Sequence, residues 1–358
     1  MLARALRHPH LAEALRWERG GEPLDARTVA IAALGMVVPA LGGLALGRPG
    51  MGFTIGLGAM LLAGAPAPAA ATGEPPSPGA AILPAALAVV IATAIAGTVW
   101  TDIVMIALAG VAATISGYSR PLAVAAMRFI IFLVLSISLI EGAAGHRGAA
   151  ALLFGAGALW NAAIRLLLAR RRPAAPAAEP ARPVTAAQRR AHWKRSMRTR
   201  AGWQFPIRLV LGLAVAALLS HVWPAHHYGW IVLTVALLAQ RPLEPVPVKT
   251  LQRALGTALG VALTWAILTG LAAPAALTVA ICLLATGASL ARNRNYLAYA
   301  VLATPVILLV LDIGTPIAPA LLVDRLVATL LGAAIVIGAN LLLGRWIGPD
   351  PAPRAKRG

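Results

Sequence analysis

Apolar runs of about 15–22 residues, close to the length that a helix needs to cross ~30 Å of hydrocarbon, follow one another along the whole chain. Hydrophobic residues make up 59% of the sequence and charged residues only 12%, with a mean hydropathy of +0.79. Soluble chains are about a quarter charged. The alternation of apolar and polar residues that a membrane β-barrel requires is absent. We therefore predict an all-α, multi-pass membrane bundle.

The runs predict about twelve spans, interrupted near the middle of the chain by an Ala/Pro/Arg segment, residues 170–204, that is too polar to cross. A short span such as residues 229–240 must be tilted, broken or shielded by its neighbours. The predicted spans cover residues 28–46, 52–65, 81–99, 101–117, 121–140 and 148–168 before the polar segment, and residues 206–222, 229–240, 250–269, 273–290, 295–312 and 321–343 after it.

Basic residues concentrate in the N-terminus, the central linker and the C-terminus, which an even number of spans places on one face. Because Lys and Arg of short loops stay in the cytoplasm, we predict that both termini are cytoplasmic. The predicted organisation is a cytoplasmic amphipathic segment (1–27), a first six-span repeat (28–169), a basic linker (170–204), a second six-span repeat (205–346) and a basic tail (347–358).

The chain carries signs of an internal duplication. Gly52-Phe53 precedes the second span as Gly229-Trp230 precedes the eighth, and residues 119–134 match residues 295–309 in a Leu-Ala pair and the aliphatic run that follows it. Six is an even number, so the two copies would share one orientation and be related by an axis along the membrane normal. We therefore predict two parallel six-span repeats.

Two stretches share one pattern: Arg-x-x-Gly-Thr-x-x-Gly at residues 253–260 and Arg-x-x-Ala-Thr-x-x-Gly at residues 325–332. An arginine within an apolar run is costly in a bilayer and usually faces protein or a watery cavity, so it is a candidate functional residue. The small residues Gly256, Gly260 and Gly332 would lie on faces where helices approach closely. One interpretation is that both stretches are packing seams whose arginines extend to the membrane surface.

The other interpretation is that the two arginines bind a carboxylate, because the planar guanidinium can donate to both carboxylate oxygens at once. Arg253 and Lys249 would act from the cytoplasmic end and Arg325 from the outer end, with nearby Asp residues offsetting the Arg325 charge. The candidate substrate-binding or translocation residues are Arg253, Arg325, Lys249, Arg241, Thr234, Thr257, Asp324 and Asp312, and the candidate packing residues are Gly256, Gly260 and Gly332.

The formal net charge of +19 would suggest a nucleic-acid partner in a soluble protein. Here the basic residues flank apolar runs without a zinc-finger, RNA-binding or helix-turn-helix pattern, so no nucleic acid is expected. Gln188 to Trp203, with Trp193 and Met197 one helical turn apart, predicts an interfacial amphipathic helix that contacts anionic lipid headgroups. The alternative is a stop-transfer signal that only fixes orientation.

No metal or cofactor is predicted. His221, His226 and His227 gather without nearby Cys, Asp or Glu, which favours a wet outer loop over proton sensing or a metal site. The sequence has no nucleotide-binding Gly-x-x-x-x-Gly-Lys-Ser/Thr loop and no nucleophile–base pattern, so we expect no enzyme. Tryptophans near span ends, Trp230 among them, are expected to anchor the membrane interface rather than stack on a substrate.

The second half carries a longer ordered pattern. It consists of Tyr228-Gly229-Trp230-Ile231-Val232-Leu233-Thr234, then Gln240-Arg241-Pro242, then Lys249 to Gly260, and it continues through Asn295-Tyr296 and Thr304-Pro305 to the Arg325 stretch. This pattern resembles the fusaric acid resistance or aromatic acid exporter family, which includes the plant aluminium-activated malate channels. The resemblance implies movement of small aromatic carboxylates through a bacterial inner membrane, often with a membrane-fusion partner. The first half lacks the Arg-x-x-Gly-Thr-x-x-Gly stretch.

Taken together, the residues and the resemblance predict an inner-membrane transporter or exporter of small organic anions, aromatic carboxylic acids in particular. The expected partners are the small organic anion, anionic lipid headgroups at the basic linker, a membrane-fusion subunit and a second copy of the chain in a homo-oligomer. Two alternatives remain. One is a non-transporting membrane scaffold or lipid-organising protein, and the other is a membrane-embedded enzyme acting on a lipid-linked substrate, against which the scattered acidic residues argue.

Overall fold

The computed structural model describes residues 25–63, 78–142, 147–168, 185–223, 229–239, 246–271, 273–292, 294–311 and 319–347. All regular structure within these residues is helical. The first half contains α1 (Ala26–Ala45), α2 (Pro49–Ala63), α3 (Pro78–Ile95), α4 (Thr101–Ile115), α5 (Arg120–Gly142) and α6 (Arg147–Leu167). A polar helix, α7 (Ala186–Met197), precedes the second half, which contains α8 (Arg200–Val222), α9 (Gly229–Leu238), α10 (Val246–Gly270), α11 (Pro274–Ala291), α12 (Tyr296–Leu311) and α13 (Pro319–Ile347).

Within the described residues, 7 helices are long and apolar enough to cross a membrane, and further apolar helices are shorter. The predicted all-helical, multi-pass membrane protein is therefore confirmed, but a count of twelve complete spans is not. The shorter helices are α2, α3, α4, α9 and α12, at five of the predicted spans. Helix α9 has 10 residues, a rise of only about 15 Å. Its residues from Ile231 to Ala236 are all buried, so neighbouring helices cover a segment too short to span.

The helices of each half pair in the same way. In the first half α1 packs against α2, α2 against α6, and α3 against both α5 and α6. In the second half α8 packs against α9, α9 against α13, and α10 against both α12 and α13. The halves meet where α1 packs against α11 and where α4 packs against α8. One large cluster of buried apolar side chains extends through both halves.

Helix α7 ends earlier than the amphipathic segment predicted at residues 188–203. The reason is Thr199, whose hydroxyl accepts a hydrogen bond from the Gly202 amide at 3.3 Å and caps the next helix, α8. Trp193 fixes α7 to the end of α4, because its indole nitrogen donates to the Thr114 carbonyl at 3.1 Å. The basic side chains of α7 are exposed: Arg189, Arg190, Lys194 and Arg195.

Candidate anion site

Arg253 of α10 and Arg325 of α13 are each 1% exposed and are the largest fully buried side chains among the described residues. Their guanidinium groups lie within electrostatic range of each other. The sequence placed these arginines toward opposite membrane faces, and the structure encloses both within the second half. A side chain that extends to the membrane surface keeps its charged end exposed, and neither guanidinium does so.

The packing of α10, α12 and α13 places the two arginines in the same part of the bundle. Leu321 and Leu322, at the start of α13, pack with Leu308 near the end of α12 and with Val261 of α10. Arg325 follows one turn later along α13. Arg253 lies about two turns before Val261 along α10. Both arginines therefore lie within about two helical turns of this contact.

Trp230 forms one wall of the site. The central carbon of the Arg325 guanidinium lies 3.9 Å from the centroid of the Trp230 ring, a cation–π contact that contributes about 2 kcal/mol or more when it is desolvated. The sequence favoured interface anchoring for Trp230, but its ring faces a buried cation. Thr234, also buried, donates its hydroxyl to the Trp230 carbonyl at 2.9 Å, within the short helix α9.

Several polar atoms of the site are buried without a hydrogen-bond partner among the described residues. They include all three guanidinium nitrogens of Arg325, Nε and Nη2 of Arg253, and the hydroxyls of Tyr296 and Thr257. Leaving such a group unpaired costs about 1–3 kcal/mol, and more when the group is charged. The site therefore presents cationic donors whose hydrogen bonds would be completed by an anion with several acceptor atoms.

Two tyrosines at the start of α12 extend the aromatic surface of the site. The Tyr296 hydroxyl lies beside the Arg253 guanidinium without meeting hydrogen-bond geometry. The rings of Tyr296 and Tyr299 have centroids 5.8 Å apart and an interplanar angle of 33°. Arg325 lies within electrostatic range of both tyrosines. Neither ring was assigned a role from the sequence, although their spacing of three residues places them on one helix face.

The remaining candidate substrate residues are less central. Lys249 is half-buried in the first turn of α10 and takes part in an interaction of its own. Asp324 is 7% exposed and also has a partner. It does not hydrogen-bond to the Arg325 guanidinium, whose nitrogens have no such partner in the described parts of the chain. Arg241 and Asp312 lie outside the described residues.

The small residues of both stretches lie where helices touch. A Cβ atom at Gly256 would lie 2.5 Å from the Ala300 Cβ, and one at Gly260 would lie 2.7 Å from the Thr304 Cβ. Both contacts join α10 to α12. A Cβ atom at Gly332 would lie 2.7 Å from the Thr234 Cβ, which joins α13 to α9. These glycines hold the helices that carry the two arginines at close distance.

The predicted histidine loop is only partly described, since His226 and His227 fall outside the described residues. His221 Nε2 lies 2.5 Å from Asp102 Oδ2, a pair that the sequence did not predict and that joins α8 to α4. No group of three or more potential His, Cys, Asp or Glu metal ligands occurs within the described ranges.

The helices and the buried cationic site define the class of the protein: a multi-pass helical membrane protein. Residues 213–339, which include Trp230, Arg253 and Arg325, match the model of the family described as fusaric acid resistance protein-like. This match confirms the resemblance drawn from the motifs of the second half and indicates, in general terms, a transporter. No curated protein and no solved structure matches the chain.

Proposed function

We propose that this protein moves small organic anions, aromatic carboxylic acids in particular, across a bacterial inner membrane. The observation that carries the proposal is the pair of buried arginines, Arg253 and Arg325, whose guanidinium nitrogens lack hydrogen-bond partners among the described residues, Arg325 in full and Arg253 in part. Two guanidiniums within electrostatic range repel each other, and a carboxylate between them would remove that repulsion while accepting their hydrogen bonds.

The rings around the arginines favour an aromatic carboxylate over an inorganic anion. Trp230 covers one face of Arg325, while Tyr296 and Tyr299 lie on the side of Arg253. Aromatic rings pack well against one another in offset or tilted arrangements, so a benzoate-like ring would find apolar contacts where its carboxylate meets the cations. The transported anion is then bound through both its carboxylate and its ring.

The proposal includes a duplicated architecture and an orientation. Equivalent helices pair within each half, and the contacts between halves repeat as well, since α1 meets α11 as α8 meets α4. We interpret this as two parallel repeats around an axis along the membrane normal. The exposed basic face of α7 would lie at the cytoplasmic surface against anionic headgroups.

The experiment is transport of 4-hydroxybenzoate by the full chain in liposomes, with an imposed membrane potential and protein-free liposomes as the blank. We expect the Arg253→Gln variant to lose anion flux by about 10–100-fold, because a hydrogen bond from a charged group contributes about 1.5–3 kcal/mol. The exposed Arg48 provides the matched control, and Arg48→Gln should transport normally.

Folding is measured separately, by size-exclusion chromatography and by the thermal unfolding midpoint of each variant. Normal flux in a folded Arg253→Gln protein would remove this arginine from the pathway. Absence of flux in the unmodified chain, for aromatic and aliphatic carboxylates alike, would contradict the transport proposal and favour a scaffold.

A further inference from the structure

The second half contains buried threonines of two kinds. One kind donates its hydroxyl to the carbonyl four residues earlier in the same helix, at 2.7–2.9 Å: Thr234, Thr264, Thr304 and Thr329. The other kind comprises Thr250 and Thr257 of α10, which are 5% and 0% exposed and whose hydroxyls have no hydrogen-bond partner within the described residues. A threonine inside a helix commonly bonds back to its own backbone, so these two hydroxyls remain available to a ligand.

The two unpartnered hydroxyls flank Arg253. Thr250 lies three residues before Arg253, and Thr257 lies four residues after it. Residues at these spacings are neighbours on one helix face, with about 5–6 Å between their Cβ atoms. The Nε and Nη2 atoms of Arg253 are themselves buried without a partner among the described residues. Three successive positions on one face of α10 thus carry unused donors, in the order neutral, cationic and neutral.

This face of α10 lies between α12 and α13. On one side of it Gly260 contacts α12, and on the other side Val261 packs against the side chains at the start of α13. Successive residues of a helix are about 100° apart around its axis. Thr250, Arg253 and Thr257 therefore fall within the sector between these two contacts, so their side chains are directed into the second half.

The same face leads toward Arg325. Val261, about one turn after Thr257, packs against a small group of apolar side chains of α12 and α13 that Trp230 also contacts. The central carbon of the Arg325 guanidinium lies 3.9 Å from the centroid of the Trp230 ring. Along α10, Thr257 therefore lies between Arg253 and the packing contact that leads to Arg325.

We infer that Thr250 and Thr257 donate hydrogen bonds to the transported carboxylate, which enters past Thr250, binds at Arg253 and passes Thr257 on its way to Arg325. This inference rests on the proposed function and names the side chains along which the anion moves. Donors at successive turns allow the carboxylate to exchange its hydrogen bonds one at a time over about 10 Å of helix. Neutral hydroxyls suit the intermediate positions, because they bind an anion less tightly than a guanidinium does.

Valine tests each hydroxyl, because it has nearly the shape of threonine and no hydrogen-bonding group. In the liposome assay with 4-hydroxybenzoate, Thr250→Val should raise the half-saturating concentration and Thr257→Val should lower the maximal rate. Each change should be about 2–10-fold, the effect of one hydrogen bond. The two effects differ because Thr250 precedes the first arginine, whereas Thr257 lies between the two. Thr250→Ser and Thr257→Ser keep the hydroxyl and should transport nearly as the unmodified chain does.

Thr264→Val is the matched control. Thr264 lies on the same face of α10, seven residues after Thr257, but its hydroxyl already donates to the Gly260 carbonyl at 2.8 Å. This variant should transport normally. The thermal unfolding midpoint should stay the same or rise in Thr250→Val and Thr257→Val, because each removes a buried hydroxyl without a partner. Thr264→Val loses a hydrogen bond and should be no more stable than the unmodified chain.

A second measurement does not depend on the valine variants. The chain has one cysteine, Cys282, so Cys282→Ser provides a cysteine-free background for Thr250→Cys and Thr257→Cys. An anionic, water-soluble methanethiosulfonate should modify both introduced cysteines during transport and block flux. Adding 4-hydroxybenzoate at about ten times its half-saturating concentration should slow both reactions about 10-fold, because the anion then occupies most of the sites.

The outcomes separate this inference from the proposed function. Unchanged flux in folded Thr250→Val and Thr257→Val, with flux lost in Arg253→Gln, overturns the inference and leaves the proposed function intact. An equal loss in Thr264→Val, or a loss that serine does not restore, also overturns it, because the effect then arises from helix packing. Failure of both introduced cysteines to react would show that no anion reaches this face. Absence of flux in the unmodified chain contradicts both proposals.

Discussion

The two halves of the molecule share a packing plan and differ in where they bury charge. In both halves the second helix meets the sixth at a glycine: Gly157 of α6 touches the Ile55 carbonyl of α2, and Gly332 of α13 touches Thr234 of α9. Arg325 lies seven residues before Gly332, whereas Ala150 lies seven residues before Gly157. The same close contact between helices thus accommodates either a charged or an apolar neighbour.

The two halves are alike in the small residues that set helix packing and differ in their charged residues. Small residues fix how closely the helices approach, and both halves use them. The cations are distributed differently: the first half holds Arg128 and Arg165, and the second half encloses Arg253 and Arg325 more completely. A buried charge without a partner lowers stability, so the unpaired guanidinium nitrogens of Arg325 and Arg253 indicate a task beyond packing.

The largest effect is expected from replacing Arg325 with Met, which makes the second half resemble the first. Flux of 4-hydroxybenzoate should fall by about 100-fold or more, because a charged donor to the carboxylate is lost. The thermal unfolding midpoint should stay the same or rise, since an unpaired buried charge is replaced by an apolar side chain of similar length. A folded variant with full transport would contradict the role given to Arg325.

The next effect concerns the glycine contacts that the halves share. Gly332→Val should lower the unfolding free energy by about 1–3 kcal/mol, the usual cost of overpacking, because its Cβ would lie 2.7 Å from the Thr234 Cβ. Gly338→Val, also in α13, is the matched control, since a Cβ there meets nothing within 4 Å. Gly157→Val should destabilise the first half in the same way. Equal unfolding midpoints for Gly332→Val and Gly338→Val would show that this contact can relax.

A smaller effect is expected for α7, which belongs to neither half. Replacing any one of its exposed basic residues with Gln should weaken the stabilisation by phosphatidylglycerol by about 1 kcal/mol, the contribution of a single charge near the lipid surface. Flux through the bundle should change little. The measurement compares unfolding midpoints in phosphatidylglycerol and phosphatidylcholine nanodiscs. If the difference between the two lipids is the same in the variant and in the unmodified chain, α7 serves only as an orientation signal. The replaced residues are Arg189, Arg190, Lys194 and Arg195.

The smallest effect is expected for the contact between His221 and Asp102, which links α8 of the second half to α4 of the first. The His221 side chain is 73% exposed and that of Asp102 is 34% exposed, and exposed pairs contribute at most about 1 kcal/mol. Asp102→Asn should therefore leave the unfolding midpoint within a few degrees of the unmodified chain and leave flux intact. A large loss of either would mean that the halves depend on this contact far more than its exposure implies.

Much of the fold could be predicted because its determinants are local. An apolar run reveals a membrane helix without knowledge of its neighbours, and each of the predicted spans contains a helix. Helix ends were harder, because a cap such as Thr199 depends on the geometry of a few atoms. The predicted span at residues 229–240 was recognised as short, and the structure has a 10-residue helix there that its neighbours enclose.

The site was predicted only in part. Arg253 and Arg325 stand out in the sequence, since an arginine within an apolar run demands an explanation. The same reasoning applied to Arg128, which lies between Met127 and Phe129, would have identified another buried arginine. No comparable signal existed for Tyr299, because tyrosines are common near the ends of membrane helices.

The sequence by itself determined that the chain is a membrane protein of helices and which arginines are costly to bury, since length, hydropathy and charge are properties of each segment. Only the tertiary structure decided that Arg253 and Arg325 lie within electrostatic range of each other, that Trp230 stacks on a cation, and that Arg292 donates to a carbonyl of the first half. These contacts join residues tens to hundreds of positions apart, and their geometry arises from the packing of helices whose sequences do not encode their neighbours.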